Sequence, residues 1–204
     1  MISSYLKRSV PIAVDLVFAL FWFWFAQVNF VTFQATGKAT LLLGILEATA
    51  TAVLFIVRRR ASAVSAHPSD WGIAFAATFL PLLLRPASAG TPATGGAIML
   101  IGLTISLIGV VTLNRSFGIV PALRRVQTGG SYRYIRHPMY AGGLCTVLGY
   151  VMGNLSWLNI AIGVATLLLV LLRIRREEKF LLQNNEAYQH YVEGVRFKLI
   201  PFVY

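Results

Sequence analysis

Long apolar runs separated by short polar breaks dominate the chain, and their lengths are those of membrane spans. A transmembrane helix needs about 20 mostly apolar residues, within a range of roughly 17–25. Single runs of this kind cover residues 11–31, 40–57, 71–84 and 97–113. A further run, 139–172, is too long for one crossing. It carries the turn signal Gly153-Asn154-Leu155-Ser156 near its middle, which predicts a hairpin of two helices. The pattern therefore predicts an all-α fold, a polytopic integral membrane helical bundle of about five to six transmembrane helices. The third run and the two hairpin arms are the short ones. Residues 1–113 form the N-terminal membrane part. Residues 114–204 form a second part, made of an inner loop, the hairpin and a cytosolic C-terminal helical cap.

Composition agrees with that reading. With 57% hydrophobic and 12% charged residues and a mean hydropathy of +0.70, 204 residues cannot present the polar surface of a soluble domain. A net charge of +11 would point to nucleic acid in a soluble chain, but here topology accounts for it. With the N-terminus inside, Lys7, Arg8, Arg58, Arg59 and Arg60 share one side with every basic residue from Arg115 onward. Only Lys38 and Arg85 are left outside. This bias predicts cytosolic N- and C-termini, in the inner membrane if the cell is bacterial, with the basic residues facing anionic headgroups. The first run reads as an anchor, since it is long, rich in Trp and Phe, and followed by no small-x-small cleavage site. Cys145 is the single cysteine, so no intramolecular disulfide is possible.

Chemistry is concentrated after residue 113. The earlier part has few ionisable groups in its runs; Glu47 reads as a polar group facing other helices and satisfied there. The inner loop contains Gly129-Gly130, two tyrosines and five arginines, and ends in Arg136-His137-Pro138-Met139-Tyr140. Tandem glycine lets backbone approach a ligand closely, and proline at a helix start leaves neighbouring N–H groups as an anion site. A membrane-surface loop with interfacial tyrosines would show the same local composition. Beyond the hairpin, Arg173-Ile174-Arg175-Arg176-Glu177-Glu178 opens a polar helix predicted over 173–184. Its spacing allows Arg173 to meet Glu177, and Arg175 to meet Glu178, along one face. No Cys/His/carboxylate cluster has metal spacing, and no glycine-rich phosphate loop or Ser-His-Asp order is present.

The two polar pieces share one order and spacing: Gly130-x-Tyr132, Arg136-His137-Pro138-x-Tyr140-x-Gly142, Arg173-x-x-x-Glu177-Glu178-x-x-Leu181, Tyr188-x-x-Tyr191 and Ile200-Pro201. Over residues 114–204 this resembles the isoprenylcysteine carboxyl methyltransferase and phospholipid methyltransferase superfamily. One departure is Asn184-Asn185-Glu186, where the family usually has Phe-Gly before the tyrosine pair.

The resemblance implies methyl transfer from S-adenosylmethionine, bound at the cytosolic face, to a lipid-linked or amphiphilic acceptor entering from the bilayer. That acceptor is an isoprenylcysteine-type carboxylate or a phospholipid amine. It implies cofactor contacts at Val126, Gln127, Tyr132, His137, Pro138, Met139, Tyr140 and Glu177, with Arg173 facing the acceptor. An amine acceptor must also lose a proton, for which His137 or Glu178 is the candidate. Two other classes stay open: an NADPH-dependent reductase of a sterol or polyprenoid, and a non-catalytic membrane partner.

Overall fold

The computed structural model describes residues 6–7, 12–201 and 203; Arg8, Pro11 and Phe202, used in the sequence reading, lie outside them. The chain opens with β1 (Leu6–Lys7), then α1 (Ile12–Thr36) and α2 (Ala39–Val57). β2 (Ala63–Ser65), α3 (Pro68–Phe79) with a 3-10 extension through Leu83, and α4 (Pro92–Leu113) follow. β3 (Ala122–Leu123), α5 (Pro138–Gly153), α6 (Trp157–Asn184) and α7 (Glu186–Gly194) complete the fold. Four of these helices, α1, α2, α4 and α6, are long and apolar enough to cross a membrane. Of the three shorter ones, α3 and α5 lie against them and α7 packs on the end of α6. Large apolar side chains such as Leu20, Trp24 and Val31 of α1 point outward, which suits lipid and not water.

The boundaries follow local chemistry. Gly37, with φ +64°, ends α1 and donates its N–H to the Phe33 carbonyl, so the chain reverses into α2 within two residues. Ser156 caps α6, its hydroxyl accepting the Asn159 N–H at 3.1 Å. The fully buried Asn159 side chain then ties this turn to the α3–α4 connection through both polar groups of Arg85's backbone.

α4 and α5 touch backbone to backbone. Gly95, Gly102 and Gly109 recur every seventh residue on α4 and meet Gly142 and Gly149 of α5. A Cβ on Gly149 would stand 2.6 Å from the Met99 nitrogen, and one on Gly109 2.7 Å from that of Met139. Small residues give membrane helices this close approach, where dispersion and not water exclusion holds them together. The pair spans the two parts of the chain distinguished above, so these pack as one body.

Two features differ from the sequence expectation. The polar helix predicted over 173–184 is not separate: it continues α6 without a break. At 28 residues, α6 is about 42 Å long against a hydrocarbon core of about 30 Å, so its last turns project beyond the bilayer. A small antiparallel sheet was also not foreseen. Its order is β1-β2-β3, with Leu6 opposite Ser65 and Val64 opposite both Lys7 and Ala122. The strands have only two or three residues, too few for a period-two pattern to register. The sheet gathers the N-terminal segment, the α2–α3 connection and the α4–α5 connection at the face where the arginines cluster.

Candidate functional site

The basic face is assembled around the start of α5. Asn114, with φ 49°, ends α4 and redirects the chain. Gly130 (φ +56°) begins a 3-10 turn, Gly130–Arg133, where a Cβ would lie 2.7 Å from the Thr112 methyl. That turn buries Tyr132, whose carbonyl accepts the Tyr191 hydroxyl of α7 at 2.6 Å. Beyond it the C-terminal tail lies along the entry to α5: Arg136 N–H donates to Phe197 and His137 N–H to Lys198, both at 2.9 Å. Asn185 supplies the break between α6 and α7. It caps α7, its side chain accepting the Tyr188 N–H at 3.2 Å.

The two carboxylates of α6 are used differently. Glu178, 5% exposed, is held by two cations and an imidazole from two segments: Lys198 Nζ at 2.8 Å, Arg136 Nη1 at 3.0 Å and His137 Nε2 at 3.2 Å. This clamp joins α6, the start of α5 and the tail. Glu177 accepts the Tyr140 hydroxyl at 2.7 Å. The intrahelical pairs with Arg173 and Arg175 allowed by spacing are thus replaced by contacts between helices.

Around Tyr140 lie two cavities. The first, at the basic face, encloses about 100 Å³ and opens to solvent. Val126, Gln127, Tyr132, His137, Met139, Tyr140 and Glu177 line it, as do Arg124, Arg125, Arg136, Tyr188 and Tyr191. Pro138 does not line it; that ring is fully buried in the first turn of α5. Burial, reinforced by the nearby Glu177 or Glu178 carboxylate, pushes the Tyr132 and Tyr188 phenols well above their usual range. Burial likewise raises that of Tyr191, so all three remain neutral phenols. Burial and the neighbouring Arg58 bring Arg124 down to about 10, which leaves it charged at neutral pH. Arg136 Nε and the Tyr188 hydroxyl are buried without a hydrogen-bond partner among the described residues.

The second cavity, about 280 Å³, lies inside the bundle and takes walls from each of α1 to α6. Met139 and Tyr140 line it too, so they form the partition between the cavities. Arg173 belongs to this side. Its guanidinium lies 4.8 Å from the Tyr140 ring centre and donates to Thr78 Oγ1 at 3.0 Å and to the Ile119 carbonyl at 2.5 Å. His137 stacks on the same ring, with centroids 5.4 Å apart and planes 8° from parallel. Glu178 lines neither cavity.

Residues 91–189, from the foot of α4 into α7, match the family model described as phospholipid methyltransferase. This segment is similar to the phospholipid methyltransferase family. No curated protein matches the chain. The match is to methyltransferases of phospholipids and covers just under half of the chain.

The phospholipid methyltransferase segment carries the glycine seam, the partition and both carboxylates. Sequence reasoning missed Arg124 and Arg125 as lining residues, because arginines in an inner loop read equally as headgroup contacts. It also missed the membrane cavity, whose polar residues Trp22, Glu47 and Thr78 come from outside the matched segment. No motif links those three; only the helix packing brings them together. Among the described residues no group of His, Cys, Asp and Glu is placed to hold a metal.

Proposed function

We propose that the protein transfers a methyl group from S-adenosylmethionine to a lipid-linked or amphiphilic acceptor, with the cofactor at the basic face and the acceptor in the membrane cavity. The observation that carries this reading is the shared Met139–Tyr140 partition: a polar, acid-bearing cavity and a mostly apolar one meet at a single side-chain layer. When bound, the sulfonium supplies an already activated methyl group. The chain has to bind, align and keep water out.

The side chains present fit that cofactor. Glu177 suits an ammonium group, leaving its second oxygen free beside the Tyr140 hydroxyl. The unpartnered Arg136 Nε and Tyr188 hydroxyl, both in the cavity wall, suit a carboxylate and sugar oxygens. Tyr132 offers an aromatic face for a cation; the Tyr140 ring is already engaged by His137 and Arg173. Val126, Gln127, His137 and Met139 contribute shape, and Pro138 acts from behind by setting the start of α5.

Arg173, which lines the membrane cavity, directs the acceptor. Glu178 is assigned a positioning role in place of proton transfer, since Arg136 and Lys198 already share its charge and His137 contacts it. A carboxylate acceptor needs no base. The basic face is the cytosolic one, which places both termini inside.

The test is methyl transfer in proteoliposomes made with a total membrane lipid extract and methyl-labelled S-adenosylmethionine. Label should enter the organic phase and fall at least tenfold in Glu177→Gln. Unlabelled lipid from well-folded protein, together with binding of NADPH, would replace this reading with the reductase.

A further inference from the structure

The membrane cavity is more polar than a hydrocarbon tail requires. Trp22, Thr166 and Arg173 line it, and their Nε1, Oγ1 and Nε atoms, just behind its surface, are buried without a hydrogen-bond partner among the described residues. Thr166 is 2% exposed and Arg173 6%. Glu47 lines the same space and accepts the Ser106 hydroxyl, using one of its two oxygens. Each group stands near the middle of its helix: Trp22 about 15 Å along α1, and Glu47 about 12 Å along α2. An unmade hydrogen bond at such a depth costs about 1–3 kcal/mol, and no bulk water is at hand to supply it.

Resting on the methyltransferase reading above, we infer that this cavity selects acceptors carrying a hydroxyl inside the membrane, in addition to the headgroup that is methylated. Two polar levels define the ligand. Arg173 marks the headgroup level beside the Tyr140 partition. Thr166, seven residues earlier on α6, lies about 10 Å deeper. A hydroxyl at that depth can accept from the Trp22 N–H and donate to Thr166 or Glu47. A plain alkyl chain leaves Trp22 and Thr166 unpaired. The size agrees: 280 Å³ admits one chain or a compact amphiphile, while the body of a two-chain lipid would stay outside.

The experiment is equilibrium competition against tritiated stearate on the purified full chain, comparing unlabelled stearate with a stearate bearing one mid-chain hydroxyl. The hydroxylated probe should bind about tenfold tighter, the size of one to two net hydrogen bonds. In Thr166→Val, which keeps shape and loses the hydroxyl, and in Glu47→Leu, that preference should fall below about threefold while stearate binding persists. Equal affinity of the two probes in the unaltered protein would overturn the inference. So would a preference untouched by Thr166→Val, which keeps the question answerable if Glu47→Leu fails to fold. S-adenosylmethionine binding is measured on the same preparation. A hydroxyl preference without cofactor binding would reject the methyltransferase reading and leave the lipid site standing. Cofactor binding without the preference would do the reverse.

Discussion

On the basic side of Tyr140, the cavity wall comes mainly from one continuous stretch of loop plus α6 and α7, and it is dense in ionisable groups. On the membrane side, the wall is drawn from six helices and its polar atoms are scattered among apolar ones. The first is built by local sequence and the second by packing. Such a pair suits a reaction between a polar donor and a lipid acceptor, since each partner meets its own solvent up to one shared side-chain layer. The difference also sets which substitutions affect both cavities and which affect one.

The largest effect should come from the seam that supports both. Gly142→Leu forces a side chain onto α4, where even a Cβ would lie 2.6 Å from the Gly102 carbonyl oxygen. Backbone cannot yield as a side chain does, so folded protein should be lost, seen as an aggregated profile in detergent gel filtration. Next is Glu178→Gln, which leaves Arg136 and Lys198 with no full counter-charge in a largely buried clamp. A loss of about 3–5 kcal/mol is expected, with the thermal midpoint falling and α7 becoming protease-sensitive. Arg173→Gln touches the membrane side alone. KM for the lipid acceptor should rise about tenfold with cofactor affinity unchanged, because the charge-assisted contacts lie beyond the partition. The smallest is Tyr191→Phe, which removes one hydrogen bond to Tyr132 and should cost about 0.5–1.5 kcal/mol in a melting experiment.

The same contrast explains what was legible from residues alone. The apolar runs and the turn at 153–156 predict α1, α2, α4, α5 and α6 closely, because hydropathy and helix breakers are local signals. Part of the cavity lining at the basic face stood in the motifs around His137 and Glu177, since those residues cluster in the chain, while the stretch from Leu113 to Arg125 did not. Pro138 was the exception: its motif position says nothing of whether the ring faces inward. Glu178 was open to a proton-transfer role because the sequence cannot show that Lys198, twenty residues on, folds back onto it. The membrane cavity was out of reach for the same reason. Trp22, Glu47, Thr166 and Arg173 are spread over 150 residues and only the bundle assembles them.

The central claim is that Glu177 and the loop before α5 hold S-adenosylmethionine on one side of Tyr140 while Arg173 serves the other. Calorimetric titration of S-adenosylmethionine into the detergent-purified protein, beside Glu177→Gln and Arg173→Gln, tests it most directly. The account predicts saturable binding, weakened about 10- to 100-fold by Glu177→Gln, as expected for a lost charged hydrogen bond, and unchanged by Arg173→Gln. Binding that survives Glu177→Gln intact, or that is lost with Arg173→Gln in a folded protein, would contradict it.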